Sequence, residues 1–168
     1  MAIDSFIRIG HPITFGALLV FSIIEMCISA WLTAKYNAHH NYPSSSVKAR
    51  VRYLLFVSIW TILISSVYLV AFLVASSSFV ASVASHFIFL FLTWILWLAA
   101  AAAITAAVGG TLNCSTQDVF VYCGQLNALE GFAWLIWVLL TFMLIFVLIR
   151  GIMSSKRGDG YGGGLVEA

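Results

Sequence analysis

Charge is scarce in this sequence. Of 168 residues, only 8% are Asp, Glu, Lys or Arg, against 62% that are hydrophobic, and the mean hydropathy is +1.06. A soluble domain must turn its outside to water and cannot hide that much apolar surface. The net charge of +2 is small and scattered near the ends of the apolar runs, which leaves no footprint for nucleic acid. Proline occurs twice, at Pro12 and Pro43, so the long runs carry almost nothing that would break a helix. Cysteine occurs three times, with no zinc-like cysteine and histidine spacing. A phosphate-binding glycine loop and a nucleophile elbow are also missing from the sequence, and with them any legible reaction.

What is present is length of apolar chain. A bilayer core takes about 20 apolar residues in a helix. Four runs reach that length, at 13–34, 51–75, 79–108 and 129–149. None shows the period-two alternation of barrel strands, so the backbone must be satisfied within helices. The expected fold is an all-α bundle of four transmembrane helices at 13–150, with a short N-terminus at 1–12 and a flexible glycine-rich tail at 151–168. The first run is too long for a signal peptide and lacks a small-x-small cleavage site, so it reads as a retained helix. Pro12 suits the first turn of that helix, and Gly109 and Gly110 suit the end of the third. Ser76 to Ser78 reads as a tight, uncharged link.

Four spans put both termini on one side and the loops 35–50 and 111–127 on the other. Counting basic residues does not orient them: Arg8, Arg150, Lys156 and Arg157 face Lys35, Lys48, Arg50 and Arg52. The stretch NCSTQDVFVYC supplies other information. Cys114 and Cys123 could be two unrelated thiols in a cytosolic loop. Two of only three cysteines in one small polar insert favour a disulfide, which persists only on an oxidising face. The termini would then be cytosolic. Asn113-Cys114-Ser115 is a formal glycosylation sequon on that same face. Cys27, inside the first run, reads as a buried small residue.

Glu25 lies near the middle of the first run. A carboxyl group at that depth costs on the order of 3 kcal/mol and should face the bundle or carry a proton. At similar depth lie Ser58, Trp60 and Thr61, then Thr93, Trp94 and Trp97, then Trp137 and Thr141. A proton or ligand site is one reading; a polar clasp that fixes helix register is preferred, since a proton path needs further ionisable groups. His86 is expected at the membrane interface, and His39 and His40 as loop residues. Ala99, Ala103, Ala107 and Gly110, spaced for close helix approach, are expected to pack chiefly inside the bundle, with a spare face for self-association. Arg50 and Arg52 could contact lipid phosphates or pair with Asp118 and Glu130; Trp94 and Trp97 could shape a groove for lipid or sterol, although core filling against the alanine-rich face is the simpler account. No cofactor and no metal are expected.

The stretches RVRYLLFVSIWTIL (Arg50 to Leu63), TWILWLAAAAAITAA (Thr93 to Ala107), the cysteine loop and CGQLNALEGFAWLIWVLL (Cys123 to Leu140) resemble the MARVEL-domain proteins, most closely their fungal branch. The resemblance covers about Ile7 to Gly151. It implies cytosolic termini and a non-enzymatic role in organising membrane microdomains, membrane apposition or vesicle traffic, with membrane lipids, further copies or another membrane protein as partners. It implies the plasma membrane as the site of action. The chain departs from the pattern in its basic first loop, which would lie outside, and in a tail without a clear sorting motif. The alternatives are an accessory subunit of a larger membrane enzyme or transporter, and a small channel or carrier built on Glu25.

Overall fold

The computed structural model describes the backbone of residues 2–74 and 83–157, with side chains between Gly10 and Ala71 (His11 excepted) and between Ala84 and Met153. The Ser76 to Ser78 link and the glycine-rich segment beyond Arg157 lie outside the described residues. Four helices follow one another: α1 (Ala2–His39), α2 (Ser45–Val74), α3 (Val83–Val108) and α4 (Cys123–Arg157). Each contains a span long and apolar enough to cross a membrane, at Pro12–His39, Ser45–Ala71, Ala84–Val108 and Cys123–Met153. No strand occurs among the described residues.

α1, α2 and α4 are longer than their apolar runs, whereas α3 ends with its run at Val108. Hydropathy measures the length that suits lipid, whereas a hydrogen-bonded backbone continues through polar residues at the interface. At 1.5 Å per residue, the 38 residues of α1 span about 57 Å, against a hydrocarbon core of roughly 30 Å. Pro12 is accordingly inside α1 and not in its first turn. Membrane helices tolerate such a proline because neighbouring groups re-satisfy the freed carbonyl.

The ends have local causes. His40 adopts φ +52°, a left-handed residue that stops α1. Ser44 caps α2: its Oγ accepts from the Val47 amide at 3.2 Å, and its carbonyl accepts from Lys48 N at 3.2 Å. Gly109 and Gly110, at φ +85° and +91°, end α3 as expected, both amides donating to the Thr105 carbonyl.

The helices close a ring, α1 on α2, α2 on α3, α3 on α4 and α4 back on α1. Inward positions advance by alternating steps of three and four. On α1 they are Phe15, Leu18, Ser22, Glu25, Ser29, Leu32 and Tyr36; on α2, Val47, Val51, Leu54, Ser58, Thr61 and Ser65. That 3.5-residue repeat is the seam of a left-handed bundle. Outward positions are apolar too, with Leu63, Val67, Phe142 and Phe146 all exposed, as lipid-facing surface must be. Cys27 falls in the outward phase and is exposed, contrary to the buried position expected of it.

Ser44→Ala should lower stability by about 1 kcal/mol, whereas His40→Gly should be neutral or stabilise by up to about 1 kcal/mol. Thermal unfolding followed by circular dichroism in lipid discs would show the opposite signs.

Candidate functional site

Three successive inward positions on α1 are polar: Ser22, Glu25 and Ser29. Three successive inward positions on α2 are also polar: Ser58, Thr61 and Ser65. All six side chains are fully buried. The antiparallel register of α1 and α2 sets them at the same height. It is fixed at one end by Arg52, whose guanidinium donates to Asn37 Oδ1 at 2.8 Å. At the other end the His86 ring meets Phe15 at 6.0 Å and Tyr68 at 4.7 Å, both edge-on. Leu18 closes the polar layers on one side and Leu32 with Leu54 on the other, each fully buried.

Most of the hydroxyls are already engaged. Ser29 Oγ donates to the Glu25 and Met26 carbonyls at 2.8 and 3.1 Å, Ser58 Oγ to Leu54 O at 2.8 Å and Thr61 Oγ1 to Val57 O at 2.8 Å. Such back-bonds satisfy the hydroxyl without leaving the helix. Ser22 Oγ, Ser65 Oγ and both carboxyl oxygens of Glu25 have no hydrogen-bond partner among the described residues. The clasp expected at Glu25 is therefore not made by Glu25.

Tryptophan and threonine make it instead. Between α2 and α3, Trp97 Nε1 donates to Thr61 Oγ1 at 2.9 Å and Trp60 Nε1 to Thr93 Oγ1 at 3.4 Å. Between α3 and α4, Trp94 Nε1 donates to Thr141 Oγ1 at 2.8 Å and Trp134 Nε1 to Thr105 Oγ1 at 3.0 Å. Each seam is crossed in both directions. An indole carries one donor and a large apolar body, and a threonine hydroxyl can accept while donating to its own helix, so the pair suits a dry interior. Trp97, for which a lipid groove was one reading and core filling the simpler one, is fully buried because it lies one turn beyond Thr93 on the inward seam; Trp94 is half-buried.

Glu130 is a second interior acid. It is 8% exposed, and its Oε1 accepts from Thr105 Oγ1 at 2.8 Å, extending the Trp134–Thr105 pair into a chain of three. Sequence reasoning gave it only a surface role as a partner for Arg50 or Arg52. Its phase was the available signal, four residues after Leu126 and three before Ala133, both inward. Arg52 donates to Asn37, Asp118 is exposed, and Arg50 is half-buried with its Nε shielded and unpartnered among the described residues. His86, expected at the interface, is fully buried in phase with Leu90 and Thr93.

The alanine-rich stretch is phased differently from expectation. The bundle buries Ala100 and Ala101. Ala99 is exposed and Ala103, Ala107 and Gly110 are half-buried, so the four-residue series lies at the edge and outside of the seam. Trp97 and Ile104 set the inward phase, which leaves Ala99 and Ala106 pointing outward.

At the far end of the bundle the cysteine loop is a built structure. Cys114 and Cys123 are bridged, with Cα atoms 5.7 Å apart. Asn127 on α4 grips Leu112 through both backbone groups, at 2.9 and 2.8 Å, and Gln117 grips Phe120 likewise, at 2.8 and 3.2 Å. Asn113 Oδ1 accepts from the Ser115 amide at 3.2 Å. Tyr122, next to the bridge, joins α4 to α1: its ring meets Trp31 at 5.0 Å and Tyr36 at 5.8 Å, and its hydroxyl accepts from Asn41 at 3.1 Å. Lys35 sits over the Trp31 ring and Lys48 over the Tyr42 ring, anchoring both cations at this end.

These features define an integral membrane protein of four spans with a tethered loop at one end. The chain belongs to the MARVEL family: the model of this membrane-associating domain matches residues 6–146. Comparisons with curated proteins and with solved structures gave no match.

Thr61→Val should leave the Trp97 indole buried without an acceptor and cost about 1–3 kcal/mol. A double-mutant cycle with Trp97→Phe, read by unfolding in mild detergent, should recover most of that as coupling. Replacing Cys114 and Cys123 together by serine opens a ten-residue ring and should cost about 2–3 kcal/mol, matched by adding reductant to the native protein.

Proposed function

We propose that this protein is a non-enzymatic organiser of lateral membrane structure that packs against lipid and against further copies of itself. Its place is the plasma membrane, with both termini cytosolic and the loops 35–50 and 111–127 outside. The disulfide supports that orientation, since such a bond persists on an oxidising face, and an even number of spans returns both termini to the other. The family supports membrane association.

The observation that carries self-association is a surface that the chain does not use. Gly131 lies within α4 and Gly124 in its first turn, and a Cβ at either would meet nothing within 4 Å. A glycine in a helix interior is about 1 kcal/mol less favourable than alanine. Nothing in the chain's own packing exploits that loss. Ala99, Ala102 and Ala106 present further small residues outward on the neighbouring α3. Small residues let helices approach closely within a bilayer, where dispersion and weak hydrogen bonds drive association. An accessory subunit of a larger complex would use the same surface. A conducting role for Glu25 is less well supported, because apolar layers close the polar ones on both sides.

Extraction into polymer-bounded lipid discs and native mass spectrometry tests this reading. A homo-oligomer with enriched lipids is expected, and Gly131→Leu with Ala102→Leu should shift it toward monomer while the fold persists. A monomer with unselected lipid would sink the proposal. A complex with one different, larger protein would replace it with the accessory-subunit reading.

A further inference from the structure

Of the buried polar atoms without a partner among the described residues, four belong to one stretch of the α1–α2 seam, Ser22 Oγ, Ser65 Oγ and the two Glu25 carboxyl oxygens; others, such as Tyr36 Oη and Trp137 Nε1, lie elsewhere. Ser22 and Glu25 are one turn apart on the inward face of α1, and Ser65 is on the inward face of α2, about one turn away in the register set by the Asn37–Arg52 and Phe15–His86–Tyr68 contacts. The neighbouring hydroxyls do not reach them. Thr61 Oγ1 has spent its proton on Val57 O and accepts the Trp97 indole; Ser58 and Ser29 have spent theirs on their own helices. Two hydroxyls and a carboxyl group thus lie within about a turn of one another in this register, fully buried, with no protein donor or acceptor for Ser22 Oγ, Ser65 Oγ, Glu25 Oε1 or Glu25 Oε2 among the described residues.

Buried polar atoms are almost always paired, and a bare carboxyl group in an apolar bundle is among the least favourable of all. Internal water commonly supplies the missing bonds where two to four polar partners meet. The layers above and below are leucine on both α1 and α2 at one side, and Leu18 and Phe15 at the other, so water held there would be enclosed and not part of a file across the bilayer. We propose that Ser22, Glu25 and Ser65 form an enclosed water-binding site between α1 and α2, in which ordered water bridges the Glu25 carboxyl group to the two serine hydroxyls. The contrast with two of the other seams is chemical: α2–α3 and α3–α4 are joined in their interior by direct indole–hydroxyl bonds, whereas the interior of the α1–α2 seam would be joined through solvent.

A high-resolution structure of the native full chain, crystallised from a lipid phase, tests this directly. Density for water within hydrogen-bond distance of a Glu25 carboxyl oxygen is expected, together with its loss or displacement in the Ser22→Ala, Ser65→Ala double variant. An empty site would overturn the proposal. So would a direct bond from Glu25 to a protein donor, or density that becomes heavier when sodium in the medium is replaced by rubidium, which would mark a cation. Radiolytic hydroxyl-radical labelling in lipid discs provides a second readout that needs no crystals. Met26, beside Glu25, should label faster in the native chain than in Glu25→Leu; equal rates in two folded proteins would count against an internal water site.

Discussion

Lipid tails are as apolar as leucine, so helices within a bilayer gain little from hiding their apolar faces from one another. What holds this bundle must therefore come from close packing and from polar groups that prefer each other to hydrocarbon. The indole–hydroxyl pairs meet that demand on two of the four seams. They use residues whose apolar bodies fill space and whose single polar ends are consumed by the bond, so that neither partner leaves an unsatisfied atom behind. The same requirement sorts the remaining contacts. Rings and a clasping tyrosine join α1 to α4, and an arginine–asparagine bond outside the apolar layers helps to align α1 with α2.

Seen this way, the two interior acids are opposites. Glu130 is integrated: Thr105 donates to it, Trp134 donates to Thr105, and the whole chain ties α3 to α4 near the disulfide end. Glu25 is isolated at mid-height on a seam with three buried polar side chains on each helix, its own included. A serine or threonine in a helix can retire its proton to the carbonyl one turn back, as Ser29, Ser58 and Thr61 do. A glutamate has no such retreat. That asymmetry makes Glu25 the residue around which the α1–α2 seam must be completed.

The four spans were legible because lipid imposes length and hydropathy on any helix that crosses it, and both are linear properties of sequence. Counting along the runs also put Thr61 level with Trp97, Thr93 with Trp60 and Trp94 with Thr141, the pairs that bond across the seams. Phase was not. Every face of these helices is apolar, so hydropathy does not distinguish the side that meets lipid from the side that meets protein. Trp97 was open to a lipid groove as well as to core filling and is inside; Cys27 was placed inside and is outside; the alanine series was assigned to the interior one residue out of register. The buried polar residues carried the missing phase. Ser22, Glu25 and Ser29 on α1, and Ser58, Thr61 and Ser65 on α2, mark the inward stripe through the very residues that lipid rejects.

The position of Tyr122 ties chemistry to chain order. It is the residue immediately before Cys123, and it supplies both the ring contacts and the hydroxyl acceptor that seat the last helix against the first. The ring of helices cannot close until α4 has been made, and the thiol that completes the bridge arrives one residue after the tyrosine that completes the ring. The bridge and the contacts of the loop with α1 therefore share one anchor, at the first residue of α4. A reducing environment would loosen more than a surface loop: it would weaken the latch between the beginning and the end of the chain.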